Sequence, residues 1–429
     1  MSQDRIAIVG AQRTPFCKTG GVLAGAQPHE LARAVSAGVL DASELDPAEV
    51  DTVVAGCVGS SIEAPNVGRQ AALEAGVPEA TPGYTVNQAC ASGLRAITDV
   101  ATQLRTGEAE VGLAIGTESM SSYPFLFDEG LKQAVARFAF GKGVIDKVKA
   151  LASVRPKNFK PVIALKEGLV DGFCGLSMGE TAEAMAKIWG LSRRDQDKVA
   201  MESHRRTAEA WADGRFDDEV VALCPPPSYD QVLTRDVGFR PRQSLEALGK
   251  LRPAFDRRAG TVTAGNSCMI TDGAAAALLM KEDKARADGR EALGYVSDWA
   301  YVGLSPGEEG LLGPAYALPA LLKKRGMELG DVDVFEINEA FASVVLSTQR
   351  ALASEVWCRA NLGRGALGEL DLERVNVNGG ALAVGHPLGA TGTRMIGHLA
   401  RELGRRGGGV GVATLCVHGG LGAAVLVEA

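Results

Sequence analysis

The chain predicts an α/β fold of two similar halves, with mixed or parallel sheets covered by helices on both faces and a mostly helical segment inserted between them. Three observations carry this. Short apolar strand segments alternate with helical patterns, one succession of elements occurs twice, and the stretch between has helical periodicity with few strand signals.

The first copy starts at Gly83 with a short strand ending Thr85-Val86-Asn87 and a turn of small residues. A helix follows with Leu94, Ile97, Ala101 and Leu104 at helical spacing, then a Gly107 stop and a buried strand over 111–115. The second copy starts at Arg374 with a strand over 375–378 and a glycine-rich turn. It continues as a helix carrying Met395, Ile396, Leu399 and Leu403, a run of glycines, and a strand over 410–415. A second pair supports the duplication, because 49–54 and 331–335 are each a strand reached after a charged turn. In the insert, Ser192 followed by Asp195 resembles a capping box opening a helix that stops at Asp213-Gly214. The β pattern returns at Gly260-Thr261-Val262-Thr263, a segment expected to complete the first sheet. The expected domains are 1–122 with 255–288, an inserted loop domain over 123–254, and 289–429.

At 429 residues the chain is long enough for two or three packed units. Hydrophobic residues at 46% and charged residues at 23% are ordinary for a folded globular protein. A net charge of −7 argues against nucleic acid as a partner. With no leader pattern and no apolar run of bilayer length, the expected location is the cytoplasm. The eight cysteines, at 17, 57, 90, 174, 224, 268, 358 and 416, lack the close spacing of zinc sites or a disulfide framework. Reduced thiols and no bound metal are expected.

Cys90, within Asn87-Gln88-Ala89-Cys90-Ala91-Ser92-Gly93, falls on the turn from strand to helix. The positive end of the helix and free backbone N–H groups there are expected to favour its thiolate. A buried, inert thiol is the commoner explanation for any single cysteine taken alone. The matching turn of the second copy holds His386, with Pro387 suited to the first helical position. If the halves are related by approximate two-fold symmetry, the two loops meet, and a nucleophile and a base face each other. Cys416 ends a buried strand ahead of Val417-His418-Gly419-Gly420, where glycines permit close backbone approach to a ligand. Asn338 follows the strand over 334–337 and fits an ordinary helix cap as well as a site residue.

Taken together and in order, Asn-Gln-Ala-Cys-Ala-Ser-Gly, Asn338-Glu339-Ala340-Phe341-Ala342, Gly385-His386-Pro387-Leu388-Gly389-Ala390-Thr391-Gly392 and a late cysteine before paired glycines closely resemble the thiolase family. The likeness extends to Arg13-Thr14-Pro15-Phe16, to 178–183 and to 266–276. It implies the thiolase fold, with layered αβαβα halves, and cleavage of 3-ketoacyl-CoA by coenzyme A through an acylated cysteine. By resemblance, Cys90 is the nucleophile, His386 its base, Cys416 the acid and base at carbon, and Asn338 the holder of a water beside His386. The backbone at Cys90, His418 and Gly419 is implied as the second oxyanion site. Met178, Phe341, Ala264, Gly265, Ser267 and Cys268 are implied for the pantetheine slot, and Arg240 for the nucleotide end of CoA. Coenzyme A is expected as substrate, with no permanently bound cofactor.

The sequence departs from the commonest pattern in three places. His418 stands where a glycine is usual, Cys268 where many relatives carry a hydroxyl, and Ser177 where short-chain biosynthetic thiolases have histidine. The last points to a degradative enzyme of fatty-acid oxidation, with a biosynthetic acetoacetyl-CoA thiolase as the alternative. A decarboxylating ketoacyl synthase on the same fold is disfavoured by Cys416, and a non-catalytic acyl carrier by the full residue set. Over 131–166, nine Lys and Arg residues stand against Asp146 alone, interleaved with apolar residues. Part of this segment suits a basic amphipathic helix for peripheral membrane contact, and the insertion resembles those of the thiolase subunits of trifunctional fatty-acid oxidation complexes, which implies a hydratase–dehydrogenase partner subunit; attraction of anionic CoA is the alternative. The family fold also implies a homodimer or larger assembly.

Overall fold

The computed structural model describes residues 5–429, which divide into two compact units: one of 171–429 together with the residues up to Ser122, the other Tyr123–Val170. The strands in chain order are β1 Ile6–Arg13, β2 Cys17–Lys18, β3 Thr52–Gly56, β4 Gly83–Val86, β5 Val111–Ser119, β6 Phe125–Leu126, β7 Val162–Ile163, β8 Thr271–Lys281, β9 Gly294–Gly303, β10 Val334–Ile337, β11 Val410–Val417 and β12 Leu421–Glu428.

In the larger unit the strands follow the path β10-β11-β12-β9-β1-β8-β5-β3-β4. From the antiparallel β1–β9 junction the two directions are alike. Antiparallel β8 and β5 lead to parallel β3, just as antiparallel β12 and β11 lead to parallel β10. β4 then lies parallel to β3, and Val375 makes a parallel bridge to Phe335 of β10 at the matching place. Duplicated sequence has become duplicated topology.

Three hydrophobic clusters correspond to the layers. One joins the helices Ser92–Thr106 and Leu388–Arg405 to strands of both halves, and the other two lie beneath the outer helices of each half. Ser92–Thr106 buries Leu94, Ile97, Ala101 and Leu104, and Gly107, with φ 80°, ends it in the left-handed conformation that glycine adopts freely. Each buried large aliphatic contributes about 1.5–3 kcal/mol. The two central helices touch at their starts through glycines: a Cβ on Gly392 would lie 2.3 Å from the Leu94 nitrogen, and one on Gly93 2.6 Å from the Gly389 oxygen.

Two expected strands do not form. Thr261 and Val262 instead donate their N–H groups to the Glu183 carboxylate at 2.7 and 2.9 Å, and the strand that returns to the first sheet is β8. At 375–378 only Val375 bridges to β10. Asn376 turns to φ 48°, and its side-chain amide accepts from Ile337 N–H at 2.8 Å and donates to Ile337 C=O at 2.9 Å, replacing a ladder rung.

The unit 123–170 contains the helices Glu129–Phe140 and Val144–Ala152 and the pair β6–β7. The segment 171–254 lies in the larger unit, with the helices Met178–Ile188, Arg193–Ala212 and Leu245–Gly249. The Ser192 hydroxyl caps Arg193–Ala212 by accepting from Asp195 N–H at 3.1 Å. Among the described residues no helix is long and apolar enough to cross a membrane.

Candidate active site

Cys90 sits between the end of β4 and the helix Ser92–Thr106, on a turn that the sequence holds in a strained shape. Ala89 has φ 44°, costly for a residue with a Cβ. Asn87 Oδ1 accepts from Ala89 N–H at 3.0 Å, and the Ser92 hydroxyl accepts from Gln88 N–H at 2.8 Å while donating to Ala89 C=O at 2.7 Å. The clamp aims the thiol at the end of β11. There the backbone N–H groups of His418 and of Cys90 itself lie where they would favour its thiolate. Its thiolate would raise the pKa of Cys268 and Cys416, so these three thiols are electrostatically coupled.

Electrostatics overturn one expectation. The helix start was expected to favour the Cys90 thiolate, yet burial outweighs both backbone donors and pushes the thiol up to about 11, with Glu118 adding in the same direction. Burial likewise pushes Cys268 up to about 12 and Cys416 well above its ordinary value. In the resting site the nucleophile is a thiol, and a base must take its proton at the moment of attack.

The hydrogen bonds of His386 leave it able to act as such a base. It is buried, and Nδ1 lies 2.6 Å from the Thr391 hydroxyl, which donates to Pro387 C=O at 3.0 Å. The hydroxyl therefore accepts from Nδ1–H, which leaves the lone pair on Nε2, 3.3 Å from Asn338 Nδ2. Burial, aided by Arg394, holds the imidazole down to about 3, so it is neutral across the working range. Backbone bonds lace this side of the site together. His386 N–H donates to Met269 C=O at 3.1 Å, Cys268 N–H to Ala340 C=O at 3.0 Å, and Asn338 N–H to Thr414 C=O at 3.0 Å. Asn338 Oδ1 is buried without a protein partner, an acceptor for a water or a substrate donor.

The other candidates sort by position. Phe341 is buried, bridges Ser267 and meets Phe255 edge-on at 6.2 Å. Met178 opens the helix Met178–Ile188, capped by Ser177, and packs on the second half's core. Ser267 donates to Thr263 C=O at 2.7 Å, and Gly265 fits against Leu248 and Leu251, where a Cβ would come within 2.6 Å. Ala264 is exposed. Arg240 is exposed as well, and its N–H is bound to His204 Nδ1 at 3.1 Å rather than to the thiol loops. His418 keeps φ outside the positive region, so its side chain is accommodated without strain while its N–H points at Cys90; Gly419 and Gly420 take the positive φ values, 86° and 69°.

The family of the thiolase N-terminal domain matches residues 6–283, and that of the thiolase C-terminal domain matches residues 290–429. The chain belongs to the thiolase family. This thiolase is 42% identical over 426 residues to the 3-ketoacyl-CoA thiolase of Shewanella loihica, covering 99% of the chain and 97% of that relative. The figures for the 3-ketoacyl-CoA thiolase of Shewanella sediminis are the same. Among solved structures, human mitochondrial 3-ketoacyl-CoA thiolase superposes with TM-score 0.86 at 34% identity, covering all of both chains. The acetyl-CoA acetyltransferase of Bacillus anthracis gives the same score and identity over 99% of each chain, and the human enzyme has also been solved in complex with CoA.

Sequence reasoning missed two residues of this thiolase's site. Thr391 fixes the imidazole tautomer, and its signal was present: a hydroxyl residue five positions after the histidine, on the first turn of a helix. Glu118 is a fully buried carboxylate at the end of β5, a strand otherwise apolar or small and buried throughout, where a charge requires partners.

Proposed function

We propose that this chain is a 3-ketoacyl-CoA thiolase, an acetyl-CoA C-acyltransferase that uses CoA to cleave 3-ketoacyl-CoA into acetyl-CoA and a shortened acyl-CoA. The observation that carries this reading is the pairing of electrostatically coupled thiols, Cys90 and Cys416 among them, with a neutral imidazole whose Nε2 carries the lone pair that can take a proton. Cys90 attacks the 3-keto carbon while His386 Nε2 removes its proton, and the new Nε2–H then donates to thioester oxygen beside Asn338. The bond between C2 and C3 breaks, its electron pair passes to the acetyl-CoA fragment, and Cys416 protonates that carbon. Incoming CoA gives its thiol proton to the Cys416 thiolate and takes the acyl group from Cys90, whose thiolate leaves and regains its proton from His386 Nε2–H, with His418 N–H supporting oxyanion charge. Coenzyme A is therefore a substrate that enters and leaves.

Degradation of fatty acids is the favoured direction, on Ser177 and on the names of the curated relatives. The test is thiolysis: absorbance of the magnesium enolate of acetoacetyl-CoA, or of longer ketoacyl-CoA, should fall when enzyme and free CoA are present. No loss at any chain length would favour an acyl carrier instead.

The unit 123–170 supports a second, separate role in attachment. Its helices expose Val135, Phe138, Phe140, Val144, Ile145, Val148 and Leu151 among Lys and Arg residues, the composition of a surface for an anionic membrane or a partner subunit. Neutralising Lys142, Lys147, Lys149 and Lys157 together should weaken binding to anionic liposomes or to the partner and leave thiolysis of a short-chain substrate nearly intact. Lost thiolysis with unchanged binding would assign the charges to CoA capture. Assembly as a homodimer or larger oligomer fits the family fold.

A further inference from the structure

Glu118 lies behind the site, and none of the mechanistic steps above uses it. Its Oε1 accepts from Gly59 N–H at 2.8 Å, and Oε2 accepts from Val58 N–H at 3.1 Å and from Gly389 N–H at 3.0 Å. These donors belong to opposite halves of the chain. Val58 and Gly59 follow β3, and the Val58 carbonyl accepts from Asn87 Nδ2 at 3.3 Å, at the root of the turn that aims Cys90. Gly389 is the second residue of the helix Leu388–Arg405, three residues past His386. The backbone is cut to this fit: a Cβ on Gly389 would stand 2.3 Å from the Thr117 oxygen and 2.6 Å from the Gly56 oxygen, and one on Gly116 2.4 Å from the Gly389 oxygen.

We propose that Glu118 is a positioning residue for the reaction, a buried carboxylate that ties the loop behind Cys90 to the helix start behind His386 and thereby sets the nucleophile against its base. The inference rests on the thiolase reading and adds a component to it. Glu118 places its carboxylate at the positive end of the His386 helix and satisfies three amides that burial would otherwise leave unpaired. The same charge acts on the nucleophile. The groups facing the Cys90 thiol are Glu118 from β5, the N–H groups of Cys90 and His418, and the thiols of Cys268 and Cys416, and Glu118 is the carboxylate among them. It adds to the burial that keeps Cys90 protonated until a base accepts the proton.

The test compares Glu118→Gln with Glu118→Asp in the full-length enzyme, reading steady-state thiolysis and the pH dependence of Cys90 alkylation by iodoacetamide, followed by peptide mapping. Gln removes the charge and turns an amide N–H towards backbone N–H groups. Its Cys90 alkylation midpoint should move to lower pH, with about threefold or more faster labelling at fixed pH, while kcat falls about tenfold or more and KM changes little. Asp keeps the charge and withdraws it by one methylene, so kcat should fall while the alkylation midpoint stays at the parent's value. A merely structural carboxylate would lower thermal stability in both variants without separating these readouts. An unshifted midpoint in Glu118→Gln, or kcat within about twofold of the parent in Glu118→Asp, overturns the proposal, and the second criterion decides even if the Gln variant does not fold. Failure of the thiolase reading would look different: the unaltered enzyme itself would neither cleave ketoacyl-CoA nor acquire an acyl group at Cys90.

Discussion

Replacing Thr391 by valine removes one oxygen and little volume, and the structure says what that oxygen does. It accepts from His386 Nδ1–H at 2.6 Å while donating to Pro387 C=O at 3.0 Å, inside a fully buried pocket. With valine the Nδ1–H has no acceptor, and a buried unpaired donor costs about 1–3 kcal/mol. The imidazole can escape by moving its proton to Nε2, which is relieved on the other side if Asn338 turns its partnerless Oδ1 inward. Either way the lone pair that removes the Cys90 proton is lost or misplaced. At about 1.36 kcal/mol per tenfold, kcat should fall roughly 5- to 150-fold while KM for CoA and ketoacyl-CoA stays within about threefold. Thr391→Ser, which restores the hydroxyl, should recover most of the rate. Initial rates of acetoacetyl-CoA thiolysis, with a thermal melt to confirm folding, measure this. A valine variant within about twofold of the parent in kcat, or a serine variant as impaired as valine, refutes the tautomer argument.

Cys416→Ser should still let acetyl-CoA acylate Cys90, yet lose thiolysis about a hundredfold or more, the usual worth of a positioned acid or base; loss of both steps together would merge the roles assigned to the two thiols. Gly392→Ala forces a Cβ to 2.3 Å from the Leu94 nitrogen, so it should cost about 1–3 kcal/mol by overpacking and depress kcat by parting the two helix starts, read by urea melts and rates. Burial holds His386 at about 3 and His204 at about 4, both below the ordinary 6.5. The unfolded chain then binds these protons first, so the stabilisation is complete above pH 6.5 and is lost as pH falls towards the folded values. At pH 5 the loss is about 2 kcal/mol for each histidine. Urea melts at pH 7.5 and 5 should show a smaller acid loss in His204→Gln, and an equal loss would discard burial as the cause.

How far the fold could be read depended on whether chemistry was local. The Cys90 turn, the His386 helix start and the duplicated order of elements are carried by contiguous residues with clear periodicity, so all were legible. The capping Ser192 was legible for the same reason. Gly260 to Thr263 misled because its β-prone residues spend their amides on Glu183, a partner far off in sequence. The segment at 375–378 misled because one asparagine side chain does the work of a strand edge. Cys90 shows the limit most clearly. Its place beside a helix start was visible, but the burial that outweighs the helix comes from the folded surroundings, which no local pattern reveals. Glu118 was hidden likewise, since its three amide partners come from two distant segments.

The central claim is that Cys90 carries the acyl group between two halves of a thiolase reaction, and one measurement addresses it directly. Enzyme incubated with acetyl-CoA, quenched in acid and digested, is mapped by mass spectrometry for acetylated cysteine, then mapped again after a chase with free CoA. The account predicts an acetyl group on Cys90, absent from Cys268 and Cys416, which disappears in the chase as acetyl-CoA is re-formed. Acetyl label on another cysteine, or a Cys90 label that free CoA cannot remove, would contradict it.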